Sequence, residues 1–127
     1  MNFDSFGHLT PYELIETNLN AFEAVFVADF PESATRKRIF ERYVAYVEEL
    51  RKIVGSGFTL WVDGSFVTRK LNPVDIDVVT LIDAEQFFAK NRAFETWERA
   101  WHKLGSLTDG YFLPVYPIGH RLRFQTE

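Results

Sequence analysis

The sequence predicts a single α/β or α+β domain: a small mixed sheet of about three or more strands with helices packed on it. Three observations lead there. Three segments space their apolar residues at helical intervals. The stretch from Phe58 to Ile82 holds two apolar runs of strand length, and YFLPVY supplies a third near the end. At 127 residues the chain suits one domain, residues 1–127, and can bury a core without staples. Its 46% hydrophobic and 17% aromatic content, with 13 Phe, argues for packing and against disorder.

Each element can be justified in order. Residues 1–11 read as irregular and end at Thr10-Pro11. From Tyr12 to about Ala28, residues Ile15, Leu19, Phe22 and Phe26 mark a helical face, closed by Asp29-Phe30-Pro31. Ser33 offers an N-cap to a second helix. Ile39, Phe40, Tyr43, Val44, Val47, Leu50 and Val54 form its apolar face, and Gly55 stops it. The two helices make an N-terminal helical segment, about 12–54. The Arg36-Lys37-Arg38 run reads as a solvated first turn.

Phe58–Val62 reads as a strand and runs into Asp63-Gly64-Ser65. Residues 66–73 read as a short turn or helical loop. Val74–Ile82 is a second strand, apolar on both faces, as expected of a central strand covered by helices. Asp83 caps a third helix, whose apolar face is Phe87, Phe94, Trp97, Trp101 and Leu104, ending at Gly105. Trp97 and Trp101 are four apart and read as core packing. Tyr111–Tyr116 forms a third strand, which Pro114 makes an edge strand or a short one. The tail PIGHRLRFQTE is basic in its middle and has no clear assignment.

Composition narrows the function. There is no cysteine, which excludes disulfides, thiolate metal sites and cysteine nucleophiles. The start, MNFDSFGHLT, lacks the basic-then-apolar pattern of a signal peptide, and no apolar run approaches membrane-spanning length. The expectation is a soluble cytoplasmic protein with no membrane partner. A formal charge of -4 disfavours non-specific nucleic-acid binding. His8, His102 and His120 are scattered without zinc spacing, and His120 with Arg121 and Arg123 reads as a basic tail.

The chemistry concentrates in WVDGSFVTRKLNPVDIDVVT. Residues two apart on a strand share a face, so Asp75 and Asp77 project together. Paired carboxylates ask for a divalent cation, a basic partner or a solvent-facing rim. Gly64-Ser65 directly follows a strand, where backbone amides can form an anion-binding nest. Asp63 reads as a turn cap or as an extra acid. Arg69 and Lys70, in the connector, could meet phosphate, counter the Asp pair or stay solvated. No P-loop and no dinucleotide-binding glycine motif is present.

A strand, Gly64-Ser65, a short connector and then Asp75-Ile76-Asp77 on the next strand resembles the nucleotidyltransferase superfamily of DNA polymerase β type. The resemblance is to its minimal bacterial members in particular, including the nucleotidyltransferase antitoxins of toxin–antitoxin pairs. DGSFVTRKLNPVDIDVV, with SATRKRIFERY upstream, is similar to small bacterial nucleotidyltransferase-like proteins. The specific part covers residues 58–82. The resemblance implies a nucleoside triphosphate substrate whose β- and γ-phosphates meet Gly64 and Ser65. It implies two Mg²⁺ ions on Asp75 and Asp77 and a third carboxylate on a neighbouring strand. Asp109 is the candidate, placed at the mouth of the third strand. It further implies a protein partner, such as a toxin, or an RNA acceptor. A binding module of the same fold, without transfer activity, is the alternative.

Overall fold

The computed structural model describes residues 2–10, 15–55, 57–103 and 107–116, without the side chains of residues 98–103 and 111. The expected roles of Tyr12, Leu104, Gly105, His120, Arg121 and Arg123, and of the Trp101 and His102 side chains, lie outside the described residues. The fold is mixed α+β. The strands are β1 (Asn2–Phe3), β2 (Leu9–Thr10), β3 (Phe58–Asp63), β4 (Ile76–Asp83) and β5 (Thr108–Val115). The helices are α1 (Leu19–Glu23), α2 (Arg36–Val54), α3 (Ala84–Ala89) and α4 (Asn91–Lys103).

The main sheet has the order β3-β4-β5. β3 pairs antiparallel with β4, and β4 pairs parallel with β5. β4 is therefore central and the Pro114-bearing strand lies at an edge, as the sequence predicts. Burial along β4 alternates. Ile76, Val78, Thr80 and Ile82 are fully enclosed, whereas Asp77, Val79 and Leu81 are half-buried. Burial is thus complete on one face only, a correction to the expectation of two covered faces. The enclosed face meets α2, whose Ile39, Phe40, Tyr43, Tyr46, Val47, Leu50 and Val54 are all buried.

The first helix is much shorter than its periodicity predicts. Within residues 15–28, the described part of the expected 12–28 span, α1 covers only Leu19–Glu23, continued by a π-helical turn over Ala24–Ala28. The reason is Asn18, which takes an extended conformation and accepts a hydrogen bond from Ala21 N at 2.8 Å. It caps the helix it was expected to lie within. Phe22 and Phe26 still reach the core, with Phe22 stacked on Phe66 at 5.8 Å.

Other boundaries shift for similarly local reasons. α2 begins at Arg36, but Ser33 Oγ still accepts from Arg36 N at 3.1 Å and so satisfies a helix-start amide. Gly55 closes α2 with φ 69°. The expected single third helix is broken at Lys90 into α3 and α4. Asp83 caps α3 by accepting from Glu85 N and Gln86 N. Phe87 and Phe94 share a face across the break, and Phe94 and Trp97 pack on Phe112. Residues 1–11, expected to be irregular, contain the small β1–β2 hairpin.

The Arg36-Lys37-Arg38 run is not a uniformly solvated turn. Arg36 is fully buried. Its guanidinium donates to the carbonyls of Phe26, Phe66, Thr68 and Lys70 and lies 3.9 Å from the centroid of the Phe30 ring. Burial lowers its pKa to about 10, so it stays cationic at neutral pH. Arg36 precedes Ile39, Phe40 and Tyr43 by three, four and seven residues and so shares the buried face of α2.

Gly110 sets how closely α2 approaches the sheet. A Cβ there would lie 2.6 Å from Tyr46 Oη. Tyr46 is buried against Thr80 and Trp97 and has little room to move. Gly110→Ala is expected to destabilise the fold by about 1–3 kcal/mol, the usual cost of overpacking. Urea denaturation monitored by tryptophan fluorescence measures it, and an unchanged midpoint would contradict this packing.

Candidate metal centre

The site forms where the three strands present one row of acids. In the sheet register Asp63 stands opposite Asp77, and Asp77 opposite Asp109. Asp75 comes just before β4 and projects beside Asp77, two residues on. One carboxylate oxygen from each of Asp75, Asp77 and Asp109 can be chosen so that all three lie within 4.8 Å of one another. All three residues are half-buried. Asp109 is the second residue of β5 and is paired in the ladder, whereas the expected strand began two residues after it at Tyr111. The strand begins at Thr108 and not at Tyr111 because parallel pairing recruits polar residues that a hydrophobicity pattern passes over. Ile76 N donates to Leu107 O at 3.0 Å, which fixes the start of β5 against the start of β4.

Asp77 stands at the centre of this row. Burial first, then the charges of Asp75 and Asp109, raise its pKa, and so do a hydrogen bond with Asp109 and the charge of Asp63. A raised carboxylate pKa means that the ionised form is disfavoured without a compensating cation.

The glycine-serine turn packs directly on this acid. Gly64 has φ 83°, a left-handed conformation that suits glycine. A Cβ at Gly64 would overlap Asp77 Oδ2. Two independent constraints therefore demand glycine, one conformational and one steric. Ser65–Val67 then forms a single 3₁₀ turn, closed by Val67 N on Gly64 O and Thr68 N on Ser65 O. A turn of this kind leaves its first amides without an internal acceptor. Thr68 Oγ1 tightens it further by donating to Ser65 O at 2.7 Å.

Of the other predicted residues, Arg69 and Lys70 are exposed on the connector. Their backbones are firmly held. Arg69 N donates to Gly7 O in the β1–β2 hairpin, and Lys70 O accepts from Arg36. Asp63 ends β3 and adds to the negative field. The turn, Asp75, Asp77 and Asp109 are thus brought together. His8 forms an isolated antiparallel bridge with Thr68, the residue that closes the turn.

The profile of DUF6932, described as a family of unknown function, matches residues 1–126. The chain belongs to that family. No curated protein and no solved structure matches it.

Two residues that sequence reasoning missed hold the connector in this DUF6932 chain. Arg36 grips the Phe66, Thr68 and Lys70 carbonyls. Asn72 Oδ1 accepts from Ala34 N at 2.7 Å and from Ser33 Oγ at 3.3 Å. The signal for Arg36 was its helical spacing to Ile39 and Tyr43. Asn72 has no such signal, because its partners lie 38 and 39 residues away.

The sign of the Asp77 shift makes a prediction. Its folded pKa is raised, so the metal-free fold is favoured most below the ordinary aspartate value of 3.8 and loses that contribution as pH rises through the folded value. Asp77→Asn keeps a donor for Asp109 and removes one charge. In chelator at neutral pH the variant should therefore melt higher than wild type. The difference should close on acidification. Melting curves of both proteins across pH check this, and a less stable variant at neutral pH would refute it.

Proposed function

We propose that the chain is a Mg²⁺-dependent nucleotidyltransferase. It moves a nucleoside monophosphate from a nucleoside triphosphate to a hydroxyl of a protein, an RNA or a small molecule. The observation that carries this reading is the packing of the Gly64 turn against Asp77 within the Asp75–Asp77–Asp109 set. A phosphate-sized anion on the turn and a cation on the carboxylates would be neighbours there.

The donor set fits the metal. Hard divalent cations take oxygen ligands, and three half-buried carboxylates supply them in a negative field. Asp75 and Asp77 would hold two Mg²⁺ ions, with Asp109 completing the set. When bound, such ions supply charge neutralisation at the α-phosphate and at the leaving pyrophosphate. The protein's own part is positional. The first amides of the Gly64-Ser65 turn and the Ser65 hydroxyl receive the β- and γ-phosphates. Arg69 and Lys70 reach the outer phosphate oxygens from the rim. Asp109 would accept the proton of the attacking hydroxyl. The reaction suits the cytoplasm, and a toxin-like protein is the proposed macromolecular partner.

The test uses each of the four α-labelled nucleoside triphosphates with Mg²⁺, and cellular protein or RNA as acceptor. Label transfer and pyrophosphate release should both appear. Asp75→Asn, Asp77→Asn and Asp109→Asn should each lower them on the order of 10²-fold or more. Full transfer by Asp77→Asn would sink the assignment. Metal and nucleotide binding without transfer would favour the partner-binding module instead.

A further inference from the structure

Arg36 is a cation enclosed in the protein and, among the described residues, no carboxylate is a hydrogen-bond partner of it. A guanidinium carries five N–H donors. All five are used: Nε and Nη2 on Lys70 O, Nη2 also on Thr68 O, and Nη1 on Phe66 O and Phe26 O. Two ring faces flank it, Phe30 at 3.9 Å and Phe66 at 5.0 Å. Three of the four carbonyls belong to residues 66–70, the segment that leaves the Gly64-Ser65 turn. The fourth belongs to the π-helical turn after α1. Carbonyl dipoles aimed at a buried charge make charge-assisted hydrogen bonds, which are stronger than neutral ones. The arrangement therefore fixes the far side of the turn from the N-terminus of α2. The near side is fixed where Gly64 packs on Asp77.

We infer that Arg36 is a positioning residue for polyphosphate: by clamping the carbonyls of Phe66, Thr68 and Lys70 it holds the Gly64–Ser65 amides in the conformation that receives the substrate's phosphates. The inference rests on the phosphate-binding reading of that turn. Arg36 touches neither the substrate nor the metal set. It acts through the backbone, so removing it should cost phosphate affinity and leave the carboxylates' metal affinity intact. Lysine cannot reproduce it. An ammonium has three donors at one point and cannot span four separated carbonyls.

The experiment titrates Mn²⁺ alone, and then inorganic tripolyphosphate in saturating Mn²⁺, into the full chain. Wild type, Arg36→Lys and Phe30→Ala are compared, each confirmed folded by circular dichroism. Phe30→Ala removes one wall of the guanidinium pocket while keeping every carbonyl contact, and it decides the matter if Arg36→Lys does not fold. Mn²⁺ affinity should stay within about twofold of wild type, as for an uncoupled site. Tripolyphosphate affinity should fall about 10-fold to 100-fold in Arg36→Lys, the usual loss for a supporting residue, and less in Phe30→Ala. Unchanged tripolyphosphate affinity in a folded variant overturns the positioning role. A parallel loss of both affinities overturns it too, since that marks general damage to the fold. Wild type that binds Mn²⁺ but not tripolyphosphate overturns the phosphate reading of the turn, and this inference with it.

Discussion

Asp77 stands in the middle of a repulsive field: Asp75 beside it, Asp63 and Asp109 opposite it on the flanking strands. Like charges about 4 Å apart repel by roughly 1 kcal/mol in water and roughly 4 kcal/mol near a protein surface. The strand that carries Asp77 must be held from its other face. Ile76, Val78 and Ile82 do this, each at most 1% exposed, and burying such a side chain contributes about 1.5–3 kcal/mol. The alternation of β4 thus divides one strand between two tasks. Its inward residues anchor, and Asp77 on its outward face bears the charge that this anchoring can tolerate.

The geometry around that charge depends on two missing side chains. Gly64 lets the turn after β3 close over the Asp77 carboxylate, and Gly110 lets Tyr46 of α2 press under β5. One glycine acts on the acidic face and the other on the packed face. Arg36 and Asn72 then join the connector to the start of α2, so a segment that reads as a short turn or helical loop is tied down at both ends.

What the sequence made legible was local. Period-two spacing revealed Asp75 and Asp77 as a pair, and the apolar run after them marked the central strand. Gly64-Ser65 was readable as a turn, because glycine after a strand supplies the positive φ that a tight turn needs. What stayed hidden depended on partners distant in the chain. Asp109 lies within a strand only because β4 offers it a parallel ladder. Arg36 was read by its charge and its neighbours Lys37 and Arg38, although its spacing to Ile39 and Tyr43 already assigned it to the core. In α1 the error was a competition: apolar periodicity favoured helix through Asn18, and the Asn18 side chain's own hydrogen bond to Ala21 won.

The crossover between β4 and β5 also dictates an order of assembly. β3 and β4 meet across a short connector, residues 64–75, so Asp63, Asp75 and Asp77 come together through a local antiparallel pairing. Asp109 arrives only after α3 and α4 have been traversed and a parallel strand has docked. Such non-local pairings form late, because the chain must close a long loop first. A cation that needs all three carboxylates would recognise the finished topology and none of its precursors. It would slow the protein's unfolding and leave its folding rate untouched.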